Sequence, residues 1–166
     1  MTEPSSAEGL RSIAGGEEVA ATPGATQQPL AACVGRWINL GETVATPEAP
    51  GVSITTSDVY EWAPGGFFIL HTAYGKMGDD DVGAIELIGY DPATETYRTH
   101  LFDSQGNVAG EELTIKGRVW TYRGESTRAR AEFSEDGEVQ VVQHERSDDG
   151  GASWVPVMEV TLRRVG

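Results

Sequence analysis

From Gly35 to the C-terminus the chain repeats one pattern: a short run of alternating apolar and polar residues, then a turn signal. The runs cover 35–44, 52–62, 67–74, 82–90, 96–103, 108–115, 118–122, 128–134, 139–147 and 153–165. The punctuation between them includes TPEAPG, APGG, GKMGDDD, DPATE, SQGN, EDG and SDDGGA. A period of two over short segments, with turns at regular intervals, is the pattern of antiparallel all-β structure. Asp136-Gly137 is a strong hairpin signal, because glycine takes the positive φ that tight turns need. No long amphipathic helix interrupts the series. About ten consecutive strands suit a meander closed into a single antiparallel barrel, since closure removes exposed strand edges.

The bulk properties narrow the partners. With 166 residues the chain supplies one domain with a real core. A net charge of -14 repels phosphate backbones and anionic lipid, so neither nucleic acid nor a membrane surface is expected as a partner. A neutral or cationic small molecule suits that charge better. The single cysteine, Cys33, cannot form an internal disulfide, which fits a reducing compartment. No basic start followed by an apolar run marks a secretory signal, and a bacterial-type, cytoplasmic protein is expected. Residues 1–28 are rich in Ala, Gly, Glu, Ser, Thr and Pro and lack aromatics, so a disordered tail is expected before a barrel domain at 29–166. A short helical turn is expected over 28–34.

Gly35-Arg36-Trp37 opens the first strand with a GxW pattern that resembles the start of the lipocalin and fatty-acid-binding barrels (calycins). That resemblance implies that Trp37 closes one end of the barrel and that a basic residue of the last strand packs across it. The last run, VPVMEVTLRR, offers Arg164 for that role. Its alternation groups Trp154, Pro156, Met158, Val160, Leu162 and Arg164 on one face. Three longer stretches, DVYEWAPGGFFILHTAYGKMG, GAIELIGYDPATETYRTHLFDSQGN and HERSDDGGASWVPVMEVTLRR, are similar to a bacterial lipocalin-like family known as domain of unknown function 1579. The resemblance covers residues 30–166. It implies a barrel and no particular activity.

Turn lengths suggest which side chains share the interior. Pairing Trp62 with Phe67 places Asp58, Tyr60, Trp62, Phe67, Ile69 and His71 on one face, with Asp58 opposite His71. A carboxylate beside an imidazole fixes its tautomer and raises its pKa. Pairing Tyr90 with Tyr97 puts Arg98 and His100 on a face with Leu87. The opposite face, with Glu86, Ile88 and Leu101, is nearly as apolar, and a one-residue slip exchanges the two. Pairing Ser147 with Ser153 puts His144 and Arg146 on the face of Met158, with Ala129 opposite His144.

Several functions compete on these residues. The stretch S-x-D-x-G-x-S-W at Ser147–Trp154 matches the Asp-box of sialidase propellers. A propeller needs several four-stranded blades, which this length cannot provide, so the motif reads as a hairpin turn organised by Asp149. The leading expectation is binding of a small apolar or aromatic molecule in the barrel, lined by Trp62, Phe67, Ile69, Arg98, His100, His144, Arg146 and Met158. The first alternative is a cofactor-independent isomerase or cyclase with Asp58 and His71 as the acid–base pair and Tyr60 as hydroxyl donor. A second is a metal or haem held through His71, His100 or His144, although no short HxH-type spacing supports it. No cofactor is the expectation. A third alternative is a filled barrel acting as a homo-oligomer through outward Ile38 and Leu40. The acidic loop 78–81 lacks the spaced ligands of a calcium loop and is expected as a mobile rim loop.

Overall fold

The computed structural model describes residues 21–166. A 3-10 helix, Gln28–Cys33, leads into ten strands: β1 (Gly35–Thr43), β2 (Ser53–Trp62), β3 (Phe68–Met77), β4 (Asp80–Asp91), β5 (Thr96–Asp103), β6 (Val108–Lys116), β7 (Val119–Arg123), β8 (Thr127–Phe133), β9 (Val139–Arg146) and β10 (Val155–Arg164). Each strand pairs antiparallel with its neighbours in sequence, and β1 pairs with β10 to close the barrel. The expected all-β barrel of about ten strands is therefore the observed fold, with every expected run becoming a strand.

Two boundaries differ from expectation. The segment 78–81 is not a long rim loop. β3 runs to Met77 and β4 starts at Asp80, leaving only Gly78-Asp79 as the turn, with Gly78 at φ 60°. Lys76 and Asp81 flank that turn 2.8 Å apart. The tail expectation for 1–20 lies outside the described residues, but 21–28 meets the barrel. Gln27 is buried, and the Tyr97 hydroxyl donates to the Thr26 carbonyl at 2.7 Å.

One end of the barrel is packed shut. Inward-facing Trp37, Ile69, Ile88, Leu113, Trp120, Phe133 and Leu162 form a filled layer, and Leu30 and Cys33 of the 3-10 helix cover it. The Trp37 indole donates to the Cys33 carbonyl at 2.8 Å, which fastens the helix to β1. The Arg164 guanidinium stacks 4.2 Å from the Trp37 ring centroid and donates to the carbonyls of Ala32, Val34 and Gly137. The closure implied by the GxW resemblance is present. A guanidinium on an indole contributes about 0.5–2 kcal/mol, and each carbonyl bond adds about 1 kcal/mol. Arg164→Ala should therefore lower stability by about 2–4 kcal/mol, more than Arg164→Lys, which keeps the charge. Urea unfolding followed by tryptophan fluorescence reads this directly, and equal stability of Ala and wild type would rule out the clasp.

The Asp-box forms the β9–β10 turn. Asp149 accepts from the Ser147 hydroxyl (2.7 Å), the Ser153 amide (2.8 Å) and the Ser153 hydroxyl (2.5 Å). These bonds hold the Asp149 carboxyl down to about 2. Trp154 does not pack into the barrel with Met158, as strict alternation predicts. A bulge between Pro156 and Met158 reverses the faces, so Trp154 lies outside under Arg128 and Arg123.

Candidate functional site

The other half of the lumen is built differently. Its inward positions carry small residues: Gly41, Ala73, Gly75 and Ala84. At Gly75 a Cβ would sit 2.0 Å from the Thr55 carbonyl oxygen, so only glycine permits the wall to bend there. The larger inward residues of this half, His71, Leu101, Glu111, Tyr122, His144 and Met158, are half-buried, not fully covered. Inward-facing atoms that keep accessible surface line a space, and a ten-stranded ring is wide enough to hold one.

At the floor of that space stands a charged network from three adjacent strands. His71 on β3 has β2 and β4 as neighbours, and Glu86 lies directly across from it. Its Nε2–H donates to Asp58 at 2.9 Å and its Nδ1–H donates to Glu86 at 3.0 Å. The other oxygen of Asp58 accepts from the Thr56 hydroxyl at 2.5 Å. Side-chain exposure is 12% for His71, 5% for Asp58 and 11% for Glu86, so water screens the group poorly. Burial disfavours the imidazolium, but the two carboxylates outweigh it and lift His71 to about 9. Tyr60 lies flat on the cationic ring, with centroids 3.8 Å apart and planes 7° apart.

The remaining polar groups face this network across the lumen. In a ring of ten, strands five apart are opposed: β4 faces β9, and β2 faces β7. Glu86 on β4 therefore points toward His144 on β9, and Tyr60 on β2 toward Tyr122 on β7. Burial depresses His144 to about 4, against the pull of the Glu86 charge, so its imidazole is neutral at pH 7. Burial raises both tyrosine hydroxyls well above their usual range, with the Tyr122 and Glu86 charges contributing to the rise at Tyr60 and Tyr122 respectively. Among the described residues, the Tyr60, Tyr122 and His144 side chains make no hydrogen bond to the protein, whereas the fully buried polar atoms left without a partner are Trp120 Nε1 and Asn39 Oδ1. Glu111 on β6 is the further inward carboxyl. Burial raises its pKa, the Thr127 hydrogen bond opposes this, and the Glu86 charge adds to it.

The expected site residues divide. Asp58, Tyr60, His71, His144 and Met158 face the lumen. Ile69 faces inward but is 0% exposed in the filled layer, beyond a ligand's reach. Trp62 and Phe67 lie at the closed end, Trp62 at the last position of β2 and Phe67 before β3. Arg98 and His100 sit on the outer wall, because the inner face of β4 and β5 is the one with Glu86, Ile88 and Thr99. Arg146 is at the rim, paired with Asp148 at 3.3 Å. Asp58 pairs with Ala73, not His71, since the β2–β3 hairpin is offset by two residues, which keeps the face and changes the partner. With His100 outside, the three histidines do not converge. Among the described residues no group of three or more His, Cys, Asp or Glu side chains is arranged to hold a metal ion.

Glu111, Tyr122, Thr56 and Asn39 are lumen residues that sequence reasoning missed, and Glu86 lies on the face of β4 that it left open. For Glu86 the signal was available: a two-residue turn at Gly78-Asp79 sets residue 71 opposite residue 86. Two concavities reach the outer side of the wall. One of about 550 Å³ runs along β7–β10 and touches outward Arg130, Gln143 and Glu159 as well as His144 and Met158, so it straddles the wall. Another of about 370 Å³ lies on the outer face between Phe68, Leu87 and His100.

A ten-stranded up-and-down barrel, sealed at one end and polar-lined within the other half, is the class these features define. The chain belongs to the family described as "Protein of unknown function (DUF1579)", whose model matches residues 22–164. Among solved structures it is similar to Rv2717c from M. tuberculosis, with a TM-score of 0.63 and 11% identity over 86% of this chain and 99% of that one. It is also similar to an S-type phycobiliprotein lyase, CPES, from Guillardia theta, with a TM-score of 0.49 and 11% identity over 87% and 99%. A DUF3598-family protein of unknown function from Nostoc punctiforme gives 0.45 and 15% over 82% and 48%. At these identities the likeness is one of fold. No curated protein matches the chain. No helix among the described residues is long and apolar enough to cross a membrane.

Proposed function

We propose that the chain binds a small organic molecule in the half of the lumen lined by Gly41, Ala73, Gly75 and Ala84. The observation that carries this reading is the set of unpartnered polar groups on opposed strands: Tyr60 and Tyr122, and His144 facing Glu86. Their polar atoms make no hydrogen bond within the protein and are not sealed off by it, so they are free to meet a ligand. Several of them around one space supply the few orienting contacts of a ligand site.

The geometry favours binding over acid–base chemistry at Asp58–His71. A base needs a lone pair, and both His71 nitrogens carry hydrogens committed to carboxylates. A catalytic reading would turn to His144, the inward imidazole without a partner.

Titration with N-phenyl-1-naphthylamine, a neutral fluorophore that brightens in apolar surroundings, tests lumen binding. Saturable enhancement at one site is expected, together with its loss in Ala84→Trp, which fills the inward space beside Ala73. Enhancement that survives Ala84→Trp in a folded protein would place the dye on the outer wall and sink the proposal.

A further inference from the structure

The lumen has an unbalanced charge. Asp58, Glu86 and Glu111 face the lumen, with the imidazolium of His71 as the inward cation among them, while Asp103, across from Ala84, caps the turn after β5. Every lysine and every other arginine of the barrel wall points elsewhere. Arg98, Arg123, Arg128 and Arg130 are on the outer face, and Arg164 is spent on Trp37 at the sealed end. Arg146 stands at the rim against Asp148. His144 adds no positive charge, because it is neutral.

The carboxyls are also unequally satisfied. Asp58 has both oxygens engaged, by Thr56 and His71. Glu86 uses Oε2 on His71, and Glu111 uses Oε1 on the Thr127 hydroxyl. The second oxygen of each has no partner among the described side chains. Glu86 and Glu111 occupy inward positions on β4 and β6, joined across β5 by the Glu86–Leu101 and Thr99–Glu111 pairs, and each lies within the field of the other. One imidazolium shared by Asp58 and Glu86 leaves the three inward carboxyls with an excess of negative charge, and a cation beside the free oxygens of Glu86 and Glu111 offsets it. The flat faces of Tyr60 and Tyr122 add a surface to which an organic cation is attracted.

We infer that the lumen selects a ligand carrying a positively charged nitrogen, an organic ammonium or amidinium, seated between Glu86 and Glu111 with its apolar body toward Met158 and Tyr122. This rests on the lumen-binding reading and narrows it to a ligand class.

The test is isothermal titration calorimetry on the full chain at pH 7 with three probes of one shape: 2-naphthylmethylammonium, 2-naphthalenemethanol and 2-naphthoate. The ammonium should bind at least about tenfold more tightly than the alcohol, as expected for one additional charge pair in a partly buried site. The carboxylate should give no heat. Glu111→Gln should weaken the ammonium by about tenfold and leave the alcohol unchanged. Glu112→Gln, the same change of net charge on the outer face, should alter neither, and circular dichroism would verify that both variants fold. Alcohol and ammonium binding equally well would overturn the cation inference while lumen binding stands. Equal loss of ammonium affinity in Glu111→Gln and Glu112→Gln would overturn it as well. No heat from any of the three would overturn both readings.

Discussion

Replacing His71 with leucine should destabilise the protein by about 3–5 kcal/mol, the range seen when one partner is removed from a buried charge network. The mechanism is specific. Asp58 and Glu86 would each lose a charge-assisted bond, at 2.9 and 3.0 Å, while staying on strands that cannot move apart. A loss of that size is a large share of the 5–15 kcal/mol that holds a typical domain together. The companion is the triple variant Asp58→Leu, His71→Leu, Glu86→Leu. Removing the whole network leaves no orphaned charge, so the triple variant should be more stable than His71→Leu alone. Urea denaturation at pH 7 distinguishes these, and a single variant that unfolds at the wild-type midpoint would show the network to be unimportant for folding. Loss of any function in a His71 variant therefore reports first on the integrity of the barrel.

The barrel was legible in the sequence because closure depends on pattern. Ten alternating runs with turns between them leave few alternatives, and the GxW resemblance implied the packing of Arg164 across Trp37. Positions of the lumen residues were legible only where register was. Tyr90–Tyr97 and Ala129–His144 follow from short turns and are the observed pairs. β4 and β5 present two almost equally apolar faces, since outward Ile85, Leu87 and Phe102 are 49, 41 and 48% exposed. Hydrophobicity therefore could not choose between Glu86 and Leu87. The choice is made by the Gly78-Asp79 turn, which the acidic run around it disguised as a loop. In β10 the pattern misleads in the other direction. The bulge at Pro156 inserts one residue, so Trp154 leaves the face of Met158, and no periodicity can register a bulge.

Stability should peak near pH 6.5 and fall on both sides, because the two lumen histidines are perturbed in opposite senses. His71 has a folded pKa of about 9, above its unfolded value of about 6.5. Its contribution is complete below pH 6.5 and is lost as pH rises through 9, since the folded state alone holds the proton in that window. His144 has a folded pKa of about 4, below the same reference. Its neutral form is the one buried, so its contribution is complete above pH 6.5 and is lost as pH falls toward 4. Each proton difference sets a slope of about 1.4 kcal/mol per pH unit within its window. The sign is negative on the alkaline side and positive on the acid side. Urea unfolding measured from pH 4 to 9.5 should trace that dome. His144→Phe, which keeps a ring at the site and cannot take a proton, should flatten the acid limb and leave the alkaline limb intact. A ligand cation beside Glu86 competes with His71 for the same carboxylate, so a saturating ammonium probe should shift the alkaline limb to lower pH. An acid limb unchanged in His144→Phe would mean that groups other than His144 set it.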